Sequence, residues 1–386
     1  MSSDGAPPRP GGNAPFARPA AGGLYRNTRS HRPGEVNLKS CGLLHPRAAA
    51  LHHETLSLLD PLDVLTYPAL KSTYAMVAER FGLAPGALVL TAGSDPGLQL
   101  LVRAFPGARR IVLHTPSYDN WGKFARIGGC ALDLVPPDPV NGLFSLGDLA
   151  ARLREGPPAF VVVTQPHSFT GQAHTAAELH ELAGQVAAHG SLLVLDTAYL
   201  AFSEGGEDTV RALTGLRHVV RVNSFSKSYG LSGARIGVVM THPDTAEHLL
   251  DIDAEASVSG PALALLRAAL GRPALFEEIW AEVRGLRTLL ARLVETAAPG
   301  WRARPGEGNF VCWDVPSPAE AAAATAWLYE HGFVIRDLSG FPGLPAAVRV
   351  SVGERHDVDR VGELLAHRHR HGLIPRAQTT QDAHTA

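Results

Sequence analysis

Lys227 lies in the run RVNSFSKSYGLSGARIGV, residues 221–238, with Arg235 eight positions on. Ser224 and Ser226 offer hydroxyls to a phosphate, and Arg235 offers a planar guanidinium that holds two phosphate oxygens at once. A lysine amine beside a phosphate site can hold a phosphate-bearing aldehyde as a Schiff base. The plainer reading is an exposed lysine in a Ser/Gly turn. A second set precedes it. The apolar run SLLVLDTAY, residues 191–199, ends in Asp196, with Tyr199 three positions later. Such an aspartate either serves a site at the strand end or caps the next helix. ALVLTAGSDPG, residues 87–97, reads as strand, small-residue turn and helix, and helix-start N–H groups form an anion site. Pro96 suits the first helical turn. Near the C-terminus, Arg349 stands inside the apolar run VRVSV, where an unpaired charge is costly. Arg336 reads equally well as a solvated strand residue.

The segment S-F-S-K-S-Y-G-L-S-G-A-R-I-G resembles the cofactor-lysine motif of fold-type I pyridoxal-phosphate enzymes, S-x-S-K-x-x-G-L-x-G-x-R-x-G. The resemblance implies that Lys227 carries pyridoxal 5'-phosphate, with Ser224, Ser226 and Arg235 about its phosphate. DTAY is similar to the family's D-x-A-Y segment, which gives Asp196 the pyridine nitrogen and Tyr199 the ring hydroxyl. The protonated ring is the stronger electron sink. GSDP resembles the phosphate-cradling G-S-D-E segment, so Gly93, Ser94 and Asp95 are the phosphate-loop candidates. Tyr118, closing IVLHTPSY, stands where the family stacks an aromatic on the ring. FVVVTQPHSFTG, residues 160–171, occupies the place of N-P-x-N-P-T-G but departs from it. Ser168 replaces an Asn that contacts the ring hydroxyl, Phe169 replaces Pro and Gln165 replaces Asn, while Thr170 and Gly171 are kept.

The tail GFVIRDLSGFPGLPAAVRVSVG, residues 332–353, closely resembles that of histidinol-phosphate aminotransferases. In the wider family the second arginine, here Arg349, grips a substrate carboxylate. In the histidinol-phosphate branch it grips a phosphate with help from the first, here Arg336. Two other segments depart: SCGLLHP, residues 40–46, replaces an Asn-Glu-Asn-Pro loop, and Ala256 lies near the place of a pocket Tyr. Arg349 is therefore expected to read an α-carboxylate, with Arg336 assisting or facing solvent. Tyr67, in LTYPALKST, matches a Tyr-Pro segment whose Tyr reaches the cofactor phosphate of a neighbouring subunit, which implies a homodimer with composite sites.

The implied reaction is amino transfer between an amino acid, or an amino-alcohol phosphate, and a 2-oxo acid in a biosynthetic pathway. A decarboxylase or an oxygen-using amino-acid oxidase on the same fold stays open, as does a regulatory or scaffold domain. Intact Lys227, Asp196 and Arg235 argue against the scaffold.

These residues need elements to position them. Apolar strands recur near residues 88, 111, 132, 160, 191, 219 and 236, with helical segments such as Thr175–His189 between them. The alternation predicts an α/β fold, a mostly parallel sheet between helices, with ligands at the strand carboxyl ends. Helices over 245–296 then lead to a smaller α+β unit. The expected divisions are an arm over 1–34, a segment over 35–60 packing on the small unit, a large cofactor-binding domain over 61–258, the helical connection and small C-terminal domain over 259–370, and a disordered tail over 371–386. The run HRHRHG before that tail also reads as disordered, and no second ligand cluster supports a metal there. The 386 residues are 45% hydrophobic, enough for such a pair of domains, and a net charge of −2 gives no reason to expect nucleic acid or an anionic membrane. Cys41, Cys130 and Cys312 lie far apart, which suggests a reducing compartment and a cytoplasmic protein.

Overall fold

The structure is a computed structural model that describes residues 33–253, 257–341 and 343–371. Most of the expected N-terminal arm, Ala256 and the tail beyond residue 371 lie outside these residues. Seven strands form the central sheet: β2 (Leu88–Thr91), β3 (Arg110–His114), β4 (Ala131–Val135), β5 (Phe160–Thr164), β6 (Leu192–Asp196), β7 (Val219–Ser224) and β8 (Gly237–Met240). They follow the short strand β1 (Val36–Asn37) in the chain. Their order is β2-β8-β7-β6-β5-β3-β4, and β8 alone runs antiparallel to its neighbours. The expected α/β sheet is thus the one found.

The strands read as continuous apolar runs because both faces are covered. Alternate residues part to the two sides. Val112, Val161, Val163, Leu193, Leu195 and Val219 pack with the helices Leu146–Arg154 and Ala176–Ala188. Ile111, Leu113, Phe160, Val162, Val194 and Val222 pack with the helices Ser94–Ala104 and Trp121–Gly128. The Ala176–Ala188 helix starts where Thr175 and Glu178 cap each other reciprocally. β4 closes the sheet edge and is only partly buried, which suits its mixed sequence ALDLV.

After the helices Gly260–Leu270 and Pro273–Ala297, a second sheet forms from β9 (Arg302–Ala303), β10 (Phe310–Asp314), β12 (Arg336–Asp337) and β13 (Ala347–Ser351), in the order β12-β13-β10-β9. The strand β11 (Phe333–Val334) pairs in parallel with β1. The residues after β1 divide. The Ser351 N–H donates to the Leu38 carbonyl at 2.8 Å, tying that stretch to β13. The Pro46–Ser57 helix instead lies against the Gly260–Leu270 helix, and the His52 ring meets the Tyr229 carbonyl at 2.7 Å.

The HRHRHG run departs from its expected disorder. The helix Arg355–Arg370 includes its first four residues, and Arg368 is buried with two hydrogen bonds to Glu320, at 2.6 and 2.8 Å. A bidentate carboxylate partner from the Pro318–Glu330 helix gives the buried guanidinium what a composition reading leaves out.

Candidate active site

Strand order assembles the anion end of the site. Thr91 of β2 and Ser224 of β7 both register against Gly237 of β8, so the ends of these three strands are neighbours. The Ser94–Ala104 helix starts directly after β2, at Gly93, whose φ of 102° excludes most side chains. A Cβ on Gly93 would lie 2.7 Å from an Arg235 guanidinium nitrogen, so the arginine is laid across the helix start. A Cβ on Gly237 would meet the Gly93–Ser94 backbone at 2.7 Å. Two glycines therefore bring a guanidinium and helix N–H groups into one cup. Arg235 itself has φ 55°, an uncommon conformation for a residue with a side chain.

Lys227 follows β7 in the single turn Phe225–Ser228, capped by Ser224, whose hydroxyl accepts from the Ser226 N–H. Its ammonium donates to the Ser40 carbonyl at 2.5 Å. The Ser226 hydroxyl is buried with no partner among the described residues. Asp196 ends β6, one strand over from β7. Its carboxylate accepts from the Ala198 N–H at 3.2 Å. Burial pushes its pKa up to about 6 and the Asp95 charge adds to the rise, while that N–H and Lys227 oppose it. Asp95 accepts from the Tyr118 hydroxyl at 3.1 Å and from Asn120 at 2.9 Å, and its other oxygen is buried without a partner. Burial, and then the Asp95 charge, keep the Tyr118 phenol well above its usual range. Tyr199 is likewise buried and raised, beside the Cys41 thiol, with its ring edge-on to Phe310 at 5.3 Å.

The other end of the site belongs to the second sheet. Arg349 of β13 is buried, and its two terminal nitrogens donate to the carbonyls of Ser168 and Lys39, the latter at 2.8 Å. Its Nε has no acceptor among the described groups. Phe310 and Phe169 lie 5.1 and 5.8 Å from its guanidinium. The Ser168 hydroxyl is buried with no partner among the described residues. Arg336 of β12 is the cross-strand partner of Arg349, yet it pairs with Asp119 at 3.0 Å.

The structure thus groups Gly93, Ser94, Asp95, Tyr118, Asp196, Ser224, Ser226, Lys227 and Arg235 at adjoining strand ends, with Tyr199, Ser168 and Arg349 on the facing side. Tyr67 stands apart, 94% exposed. Several of the site's contacts carried no sequence signal of their own. The Ser40–Cys41 stretch meets the lysine and is tied to the second sheet: Ser40 supplies the carbonyl, the Cys41 N–H donates to the Ser351 hydroxyl at 3.0 Å, and Asn309 donates to the Cys41 carbonyl at 3.0 Å. Asn120 also donates to the Tyr118 oxygen at 2.8 Å, and its place two residues after that tyrosine is the one hint the sequence held. His167 holds the 165–171 turn, its ring nitrogens meeting Thr170 Oγ1 at 3.1 Å and the Pro116 carbonyl at 2.9 Å. Burial lowers its pKa to about 3, so the ring is neutral.

The donor set suits pyridoxal 5'-phosphate. The glycine-lined cup would hold a phosphate, and the buried carboxyl of Asp196 would suit a proton-bearing partner. The buried atoms of Asp95, Ser168 and Ser226 that lack partners among the described residues are ones a polar ligand would satisfy.

Comparisons with known proteins point the same way. The model of the family described as aminotransferase class I and II matches residues 48–366. The histidinol-phosphate aminotransferase of Roseobacter denitrificans is 31% identical over 325 residues, covering 83% of this chain and 87% of the relative. That of Haloferax volcanii is 30% identical over 292 residues, covering 75% and 77%. Among solved structures, histidinol-phosphate aminotransferase from Sinorhizobium meliloti in complex with pyridoxal-5'-phosphate superposes with a TM-score of 0.77 at 23% identity, covering 87% of this chain and 91% of that one. L-threonine-O-3-phosphate decarboxylase from Porphyromonas gingivalis gives 0.72 at 19%, covering 87% and 99%.

Proposed function

Because the chain belongs to the class I and II aminotransferases, which are pyridoxal-phosphate enzymes, we propose that Lys227 bears the cofactor and moves the proton in amino transfer between an amino acid and a 2-oxo acid. The single observation that carries this reading is the meeting of Lys227, Asp196 and the Arg235–Gly93 cup at neighbouring strand ends. When bound, the cofactor supplies an electron sink for the electrons left on the substrate α-carbon. The Gly93 and Ser94 amides, Arg235 and the Ser224 and Ser226 hydroxyls would hold its phosphate. Asp196 would keep a proton on the pyridine nitrogen. Tyr118 would cover the ring, with Asp95 and Asn120 fixing its hydroxyl, and Ser168 and Tyr199 would face the ring hydroxyl. Lys227 Nζ would take the proton from the substrate α-carbon and return it at the cofactor carbon, as general base and then acid. The Ser40 carbonyl already orients that nitrogen.

Arg349 is the substrate-side residue of this reading. Its terminal nitrogens each donate one N–H to a main-chain carbonyl, which leaves three of its five N–H groups, the Nε–H among them, for a substrate α-carboxylate. The relatives are named for histidinol phosphate. In this chain SCGLLHP stands in place of the resembling family's Asn-Glu-Asn-Pro loop, with its Ser40 carbonyl on the lysine, a change that favours a carboxylate-bearing substrate. The same reading makes the protein a cytoplasmic homodimer. Leu62, Val64 and Leu65 are 58–76% exposed beside Tyr67, an apolar stretch that a second copy would cover while Tyr67 reached its phosphate. No helix among the described residues is long and apolar enough to cross a membrane. Division into a large domain over 61–258 and a small one at the C-terminal side also belongs to this reading.

The test is to mix the cofactor-loaded protein with single amino acids, following cofactor absorbance and the product by mass. Formation of the matching 2-oxo acid, one per site, is expected. Release of carbon dioxide, or no change with any amine, would contradict amino transfer.

A further inference from the structure

Arg336 has two kinds of partner at once. Its guanidinium pairs with Asp119 at 3.0 Å, and it lies 4.8 Å from the Phe169 ring and 5.3 Å from the Phe341 ring. Those two rings meet edge-on at 4.9 Å. The Phe169 ring also neighbours the Arg349 guanidinium, at 5.8 Å, and β12 places Arg336 directly across from Arg349. Asp119 follows Tyr118, so the ion pair joins the loop that carries the candidate ring-covering residue to the strand beside the candidate carboxylate clamp. The side chains of Arg336 and Asp119 are 22% and 38% exposed, so the pair sits at the rim and is partly shielded from salt.

We propose that Asp119 is a specificity-determining residue: by neutralising Arg336 it makes the subsite beside Arg349 an uncharged, Phe-walled surface that takes apolar or aromatic substrate side chains and turns away anionic ones. The proposal rests on the aminotransferase reading and names the substrate class for it. A side chain bearing a phosphate or a second carboxylate would have to displace Asp119 from Arg336 or lie against it, and like charges brought together at a partly desolvated site are strongly disfavoured. The rings of Phe169 and Phe341 already occupy the guanidinium's neighbourhood, and an apolar side chain can extend their contact without unpairing any charge. Phe169, 2% exposed and packed with Leu338 and Ala347, stands where the resembling family has a proline, so the packing behind the partly buried Phe341 departs from that family. A rim pair that is 22% and 38% exposed contributes little to folding, so Asp119→Asn changes charge and leaves the fold in place.

The experiment compares the cofactor-loaded wild type, Asp119→Asn and the double variant Asp119→Asn with Arg336→Leu. Single-turnover rates are measured with L-phenylalanine, L-leucine, L-aspartate and O-phospho-L-serine. Binding of the unreactive 3-phenylpropionate and succinate is measured by calorimetry. The wild type should favour phenylalanine and leucine in rate, and phenylpropionate in binding. Asp119→Asn should move both ratios toward the anionic compounds by about tenfold or more, the factor matching 1.4 kcal/mol, and the double variant should lose that gain. A wild type that favours the anionic compounds, or ratios unmoved in Asp119→Asn, overturns the proposal. If no amine reacts at all, the aminotransferase reading fails, and the calorimetric ratios alone decide what Asp119 does.

Discussion

The two ends of the site handle charge in opposite ways. At the cofactor end, charged and polar groups are gathered and left incompletely paired. Asp196 is buried and accepts from a backbone N–H, and Asp95 and Ser226 each keep a buried atom with no partner among the described residues. At the substrate end the two arginines are largely answered by the protein itself, Arg349 by two carbonyls and Arg336 by Asp119. Burying polar groups without partners costs free energy, so the first arrangement makes sense only if a ligand completes it. The second arrangement orients its donors in advance and offers a substrate few of them. An incompletely paired cofactor end and a pre-paired substrate end follow from the same physics.

The sharpest break in this comparison is Lys227→Ala. It removes the attachment and the proton carrier together, and turnover should fall by about 10⁴-fold or more, while the Arg235–Gly93 cup still binds cofactor non-covalently. Rapid-mixing rates and cofactor content after dialysis check both halves. Asp196→Asn comes next. Turnover should fall on the order of 10³-fold, with cofactor retained in absorbance scans. Near-normal turnover would remove Asp196 from its role. Arg349→Ala tests the other end: its loss should raise KM for carboxylate-bearing substrates by the equivalent of about 2–5 kcal/mol, with cofactor content unchanged.

Asp196 also makes a stability prediction that needs no turnover. Its pKa is raised in the folded protein to about 6, so between about pH 4 and 6 the folded state holds more protons than the unfolded chain. Stability of the cofactor-free protein therefore falls as pH rises through that window. Asp196→Asn should be more stable than wild type above pH 6, by roughly 2–3 kcal/mol, and equal to it below about pH 4. Urea titrations at pH 4 and 8 read this difference directly. The smallest effect is expected at Tyr67. Losing one hydrogen bond to a phosphate across subunits should weaken cofactor binding about tenfold, and sedimentation should find a dimer whose full activity a monomer lacks.

Much of the cofactor end was legible because it is local in sequence. Ser224, Ser226, Lys227 and Arg235 share one turn and one strand start, and Asp196 ends an unbroken apolar strand. The seven strands were legible for a related reason, since doubly covered strands read as plain apolar runs. The substrate end was not legible in this way. Arg349 meets Lys39 across 310 positions and Arg336 meets Asp119 across 217, and no local pattern encodes such meetings. The role of Ser40 is invisible for another reason, because its contact is a main-chain carbonyl that any residue supplies. Arg368 shows the converse error: a histidine- and arginine-rich run suggests disorder until Glu320, 48 positions away, is found beside it.

The central claim is that this arrangement attaches its cofactor at Lys227, and the chain has four lysines on which to test it, Lys39, Lys71, Lys123 and Lys227. Borohydride reduction of the loaded protein followed by peptide mass mapping should place the pyridoxyl group on Lys227, at about one per chain. A pyridoxyl group on Lys39, Lys71 or Lys123 with Lys227 unmodified would contradict the account.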